Sequence, residues 1–181
     1  MRAARSAVRM SEKPSLAGAI GYDEPMTPMT FAVDRMLGRL ARWLRILGYD
    51  AAYGPELYGA ALVALARREG RLIVTRDTRL ARRRDRPAMV FIERDGFRAQ
   101  LREIARAVPL APVGFCTRCV ECNRLLEPAG REAVRAPAYV LATQTRFWRC
   151  PSCHRTYWPA THIARMRDEL AALGIACEVP G

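Results

Sequence analysis

The stretch that most constrains this chain runs from Phe31 to Gly48: a short apolar run, Phe31-Ala32-Val33, ends on Asp34 and gives way to an amphipathic helical pattern. Met36, Leu37, Leu40, Trp43, Leu44 and Leu47 repeat on one helical side, Arg35, Arg39 and Arg42 recur on another, and Gly48 stands where a helix stop belongs. The pattern predicts a buried strand, a carboxylate at its end and a helix lined with arginine. Ligands of open α/β sheets gather beyond the carboxyl ends of the strands, which is where Asp34 falls.

The same alternation continues. Ala51-Ala52-Tyr53 reads as a strand ended by Gly54-Pro55, Leu57 to Glu69 as an alanine-rich helix stopped by Gly70, and Arg71 to Val74 as a buried strand running into Thr75-Arg76-Asp77. A basic helical turn follows over Thr78 to Arg84, then a fourth strand over Ala88 to Ile92, then a helix over Phe97 to Val108. Strands alternating with helices imply βαβ units and a parallel sheet, so the expected class is α/β, a parallel sheet flanked by helices. Residues 1–28 carry Pro14, Pro25 and Pro28 without periodicity and read as a flexible leader, with Met26 or Met29 as an alternative start. The α/β unit is expected over 29–110. Pro109 and Pro112 mark a linker, and a small β-rich module with a terminal helix from about His162 to Leu173 is expected over 115–174.

Asp34, Asp77 and Asp95 each follow an expected strand at its carboxyl end. If they converge, three carboxylates in a small volume demand a cation, and Mg²⁺ or Mn²⁺ is the natural one because hard ions take oxygen ligands and keep positions for water and phosphate. Read blandly, the same aspartates are helix caps. Asp50 precedes its strand, which places it on the opposite rim as a turn residue. Arg39, Arg42, Arg45 and Arg76 are candidates to hold a phosphate backbone. The formal charge of +12 suits a polyanion, nucleic acid or an anionic membrane surface, although Lys13 is the only lysine and the arginine bias itself reads as coding bias. The sequence shows no signal-peptide core and no run of membrane-spanning length, so a cytoplasmic setting is expected, in which cysteines serve as metal ligands or thiols rather than disulfides.

Cys119-Val120-Glu121-Cys122 and Cys150-Pro151-Ser152-Cys153 form two Cys-x-x-Cys pairs with 27 residues between them. Two such knuckles supply four thiolates to one Zn²⁺ in a closed, structural site. A redox dithiol needs one pair at a helix start after a strand, a context neither pair has. Cys116 overlaps the first pair and leaves the choice of ligands open. His154 reads as a knuckle-turn residue and Cys177 as a bystander. The aromatics around the knuckles can stack on bases or form the small module's core, and His162 can act as a phosphate contact, a general acid or a cap.

The runs Asp34 to Asp50 and Glu69 to Asp77, with Gln100-Leu101, resemble the Mut-seven C-terminal RNase-type family over about residues 30 to 168. Arg118 to Asn123 looks like that family's first knuckle, which favours Cys119 and Cys122, with Cys150 and Cys153, as the zinc ligands. Trp148, Tyr157, Trp158, Thr161-His162 and Met166 are similar to its aromatic pattern, with Thr161 in place of serine. The resemblance implies a PIN-like nuclease domain followed by a zinc ribbon, a metal-dependent ribonuclease acting on RNA, and Asp34, Thr75, Asp77 and Asp95 at its acidic positions. PIN-like sites usually carry a further acid near the start of the second helix; here Glu56 is the candidate, slightly displaced. The alternatives are a catalytically silent RNA- or ribosome-binding module of the same fold, and an adaptor built around the ribbon.

Overall fold

The computed structural model describes residues 29–110, 113–160 and 162–175. The expected leader, Thr161 and Cys177 lie outside these residues.

Four short strands form a parallel sheet: β1 (Phe31–Val33), β2 (Ala51–Ala52), β3 (Leu72–Thr75) and β4 (Met89–Phe91), in the spatial order β2-β1-β3-β4. β1 pairs on one side with β2, Phe31 opposite Ala51, and on the other with β3, Val33 opposite Val74. Helices α1 (Gly38–Ile46), α2 (Gly59–Glu69), α3 (Thr78–Ala81) and α4 (Phe97–Ala107) connect or follow the strands. The two-residue period of a strand divides the apolar residues between two faces. Phe31, Val33, Val74 and Val90 pack with Leu40 and Leu44 of α1, with Leu47 just after it, and with Leu101 and Ile104 of α4. Ala32 and Ile73 pack with Leu62, Val63 and Ala66 of α2 and Leu80 of α3. Burial on both faces explains why the strands read as continuous apolar runs.

A three-stranded antiparallel sheet follows: β5 (Glu127–Pro128), β6 (Trp148–Arg149) and β7 (Thr156–Tyr157). Its short helix α5 (Ala138–Thr143) contributes Val140 to a small cluster with Val134 and Phe147, against which Trp158 packs. Here the core reading of the aromatics holds for Trp158. The last helix, α6 (His162–Ala172), returns to the larger core: Leu170 and Ile175 are buried there, and Glu169 pairs with Arg98 of α4.

Two helices are shorter than their sequence patterns by two residues or more. α2 begins at Gly59 because Leu57 is tied back, its N–H to Gly54 and its carbonyl to the Arg35 N–H. α3 stops at Ala81, where continuing would set Arg82 and Arg83 one turn from Arg79, like charges on neighbouring positions.

The chain leading into the ribbon docks at the end of α1. Gly48 turns there with φ 92°, and a Cβ at this position would strike the Gly114 backbone. The incoming chain satisfies the last carbonyls of the helix: Cys116 N–H donates to Ile46 O at 2.7 Å and Val113 N–H to Leu47 O at 3.2 Å.

Candidate functional site

The strand order reverses direction between β1 and β3, and the crevice beyond their carboxyl ends is the switch point of the sheet. Asp34 continues β1 into this crevice and is 2 % exposed. Its N–H donates to Val74 O at 2.9 Å, which keeps the register one residue past the strand. Thr75, the last residue of β3, donates its hydroxyl to Asp34 Oδ2 at 2.6 Å, and Met36 N–H donates to Asp34 Oδ1 at 3.2 Å. The Thr75 Oγ1 in turn accepts the Asp77 N–H at 3.0 Å. Asp77 caps α3, its Oδ1 accepting from Arg79 N–H at 2.8 Å and Leu80 N–H at 3.2 Å. Cap and site are therefore one arrangement: Asp34, Thr75 and Asp77 form a continuous hydrogen-bonded group, and Asp77 Oδ2 accepts no hydrogen bond among the described residues.

The other expected acids stand apart. Asp95 follows β4 on the same rim, but its side chain is 87 % exposed and paired with Arg76 at 2.6 Å. Glu56 is exposed, with its carboxylate folded over Gly54, and no hydrogen bond joins it to the group. Its loop lies beside the site nonetheless, since Leu57 O accepts the Arg35 N–H at 2.9 Å and the Tyr53 hydroxyl donates to Arg35 O at 3.1 Å. Tyr58, half exposed, lies under the Arg35 guanidinium, 4.0 Å from ring centroid to carbon. No pattern in the sequence marks this aromatic as a neighbour of Arg35; only the fold of the 54–58 loop does.

The arginines divide. Arg39 is exposed with its guanidinium 4.0 Å over the Phe97 ring, and Arg42 is exposed and paired with Glu121 at 3.2 Å. Arg45 departs from the phosphate-binding set: it is 3 % exposed, and its guanidinium donates to Ala51 O at 2.9 Å and to Val120 O and Glu121 O, both at 2.8 Å. It fastens the first Cys-x-x-Cys turn to the α/β layer. Burial weakens its hold on its proton, opposed by the negative charges of Cys119, Glu121, Cys122 and Asp50.

That turn is fixed from a second side. Asn123 donates through Nδ2 to Asp50 Oδ1 at 2.7 Å and accepts the Ala51 N–H at 3.1 Å, while Arg71 reaches Asp50 Oδ1 at 2.6 Å. Burial would raise the Asp50 carboxyl, but the hydrogen bonds from Arg71 and Asn123 hold it below the usual value. As expected, Asp50 lies on the rim opposite Asp34; there its carbonyl accepts the Phe31 N–H that opens β1.

The Sγ atoms of Cys119, Cys122, Cys150 and Cys153 lie within 4.8 Å of one another, and Cys119 Sγ is 3.6 Å from Cys153 Sγ. A tetrahedral Zn²⁺ with Zn–S of about 2.3 Å sets its sulfurs about 3.8 Å apart, so the cluster fits a structural zinc ion, and Cys116 stands outside it. The knuckles repeat one geometry. Asn123 N–H donates to Cys119 O and His154 N–H to Cys150 O, with φ of 65° and 60°, which makes His154 the turn residue its position suggested. Burial alone would raise the Cys119 thiol, yet hydrogen bonds from the Tyr157 hydroxyl and the backbone N–H groups of Cys122 and Glu121 bring it to about 7. Tyr157 is held protonated, by burial first and then by this bond. Among the described residues no other group of three or more His, Cys, Asp or Glu gathers its ligand atoms in this way.

The Mut7-C RNAse domain matches residues 29–170, which spans the crevice, the ribbon and most of α6. The chain belongs to the Mut7-C RNase domain family. No curated protein and no solved structure matches it. The family match spans both the α/β layer and the four-cysteine ribbon. Among the described residues no helix is long and apolar enough to cross a membrane.

Proposed function

We propose that this Mut7-C domain is a metal-dependent ribonuclease whose reaction centre is the Asp34–Thr75–Asp77 group. The observation that carries the reading is a buried, hydrogen-bonded aspartate, Asp34, linked through the Thr75 hydroxyl to a second acidic residue, Asp77, at the switch point of the sheet. Mg²⁺ characteristically uses one or two protein carboxylates and leaves its remaining positions to water and substrate phosphate, which Asp34 and Asp77 suit. When bound, Mg²⁺ or Mn²⁺ supplies Lewis-acid stabilisation of the charge that develops on the phosphodiester.

The chain's own residues do the rest. Thr75 and the Met36 N–H each fix one oxygen of Asp34, so the carboxylate meets the substrate without reorganising. Asp77 commits Oδ1 to the helix cap and presents Oδ2. Arg35 and Arg39 line the approach to the rim, and Arg76 can exchange its exposed partner Asp95 for a phosphate at little cost, since exposed ion pairs contribute at most about 1 kcal/mol. Asp95 and Glu56 are the outer acids of this reading, Asp95 acting through Arg76 and Glu56 from the loop bonded to Arg35. RNA is the substrate the family assignment supports. Four thiols poised as ligands support a cytoplasmic setting.

A second reading, RNA binding without cleavage, draws on one observation: the acids drawn together are a pair rather than a triad. One experiment separates the two. End-labelled single-stranded RNA is incubated with the protein in Mn²⁺ or Mg²⁺ and in EDTA, with Asp77→Asn alongside. The nuclease reading expects cleavage that requires both the ion and Asp77, with RNA binding retained in the variant. Binding without cleavage under every condition selects the silent module.

A further inference from the structure

On the ribbon, away from the crevice, a cavity of about 410 Å³ is lined by Ala133, Arg135, Arg149, Cys153, His154 and Arg155. Three guanidiniums and an imidazole surround it, and no carboxylate does. The backbone around it is set by the small sheet and the second knuckle. Arg149 belongs to β6, Arg135 N–H donates to Thr156 Oγ1 at 3.2 Å, and Arg155 O accepts the Cys150 N–H at 2.9 Å. The cavity is connected to the α/β layer by charge. Glu121 pairs with Arg155 at 3.4 Å and with Arg42 of α1 at 3.2 Å. From Arg42, α1 carries Arg39, and the 3-10 turn before it (Arg35–Leu37) carries Arg35, back toward Asp34, a rise of roughly 10 Å over those seven residues. Arg45 holds the ribbon to this helix and Asn123 holds it to Asp50 and Ala51 at β2, so the spacing between the cavity and the crevice is built into the fold.

We propose that the ribbon cavity is a second phosphate-holding subsite for single-stranded RNA, joined to the catalytic rim by the exposed arginines of α1. The proposal rests on the ribonuclease reading and adds to it where the flanking strand lies. Its ligand is the backbone of an RNA chain already engaged at Asp34, because the arginine path leads from there and carries no sequence-reading group. Phosphates held this way contribute affinity and salt dependence rather than sequence preference.

The test uses the full-length, zinc-loaded chain carrying Asp77→Asn to prevent turnover, with fluorescent single-stranded RNAs of roughly 4 and roughly 16 nucleotides. Affinity is read by anisotropy over a salt series. The longer RNA is expected to bind more tightly, and Arg135→Gln with Arg149→Gln to remove about tenfold of that advantage and to flatten its salt slope by about 1.4, close to two single-strand phosphate contacts. Arg149→Lys should restore the slope. Arg135→Gln alone, at an exposed position, should flatten it by about 0.7, which guards against a folding defect at Arg149. An unchanged length advantage in the variants overturns the subsite, as does loss of zinc with RNA affinity intact, which would mark these arginines as counter-charges for the thiolates. Cleavage by the chain with Asp77 intact is followed in parallel. Cleavage without a length advantage removes the subsite alone, and a length advantage without cleavage removes the nuclease reading alone.

Discussion

Thr75 donates its hydroxyl to Asp34 across two neighbouring parallel strands at 2.6 Å, and the same oxygen accepts the Asp77 N–H at 3.0 Å. One buried hydroxyl thus links the Asp34 carboxylate to the Asp77 backbone. Thr75→Val keeps the shape but leaves an Asp34 oxygen and an Asp77 N–H unpaired, a cost of about 1–3 kcal/mol for each buried polar group. Cleavage should fall about 10–100-fold, the usual penalty for losing the support of a metal-binding carboxylate, and Thr75→Ser should retain most of it. Steady-state cleavage assays beside thermal melts check this, and a Val variant as active as the parent would remove Thr75 from the site.

Arg45 buries a guanidinium against three carbonyls, two of them in the first knuckle. Arg45→Met leaves Ala51, Val120 and Glu121 without their donor, so stability should drop by about 3 kcal/mol or more. The ribbon should become more susceptible to limited proteolysis at the same time. Denaturant unfolding gives the first quantity and fragment mapping the second. A phosphate-binding arginine would behave oppositely, with a smaller salt slope for RNA and unchanged unfolding.

Arg42 and Arg45 show where sequence legibility stops. They sit three residues apart in one amphipathic helix, and nothing in the pattern tells the exposed one from the buried one. The difference arises only when a segment more than seventy residues later docks its carbonyls over Arg45. Asp34 and Asp77 were legible because a strand-to-helix alternation fixes which sheet edge a following residue joins, and Asp50 was assigned to the other edge on the same logic. The cysteines were legible because metal geometry dictates their spacing locally. Asp95 was legible as a rim residue but not as the partner of Arg76, since rim position says nothing about side-chain direction. The return of α6 to the larger core was hidden too: its apolar positions are equally compatible with packing on the ribbon.

Zinc should be worth several kcal/mol to the ribbon, because a four-thiolate module with so small an apolar cluster draws its folding free energy from the ion. Cys150→Ser, or chelation, should unfold the three-stranded sheet and release Asn123 from Asp50, weakening the edge of the larger sheet as well. Cys116→Ser should keep one zinc per chain. Zinc content by metal analysis and melting by circular dichroism are the readouts, and an unchanged melt after zinc removal would refute the dependence.

Asp50 provides the pH test. Burial would raise its carboxyl, but the bonds from Arg71 and Asn123 prevail and lower it below its ordinary value of 3.8. A carboxyl depressed in the folded state contributes stability that is fully present above its unfolded value and is lost as pH falls through the folded one. The stability difference between the parent chain and Asp50→Asn should therefore be level at neutral pH and shrink only below about pH 4. Protonation of the zinc thiolates in acid acts on both chains, so the difference isolates the carboxylate. Direct titration by carboxyl ¹³C NMR should place the Asp50 midpoint below 3.8, and Arg71→Gln should move it upward by removing the strongest of its favourable partners. A midpoint at or above 3.8 in the parent chain would mean that burial outweighs the Arg71 and Asn123 bonds, and that this anchor of the first knuckle contributes no charge-dependent stability.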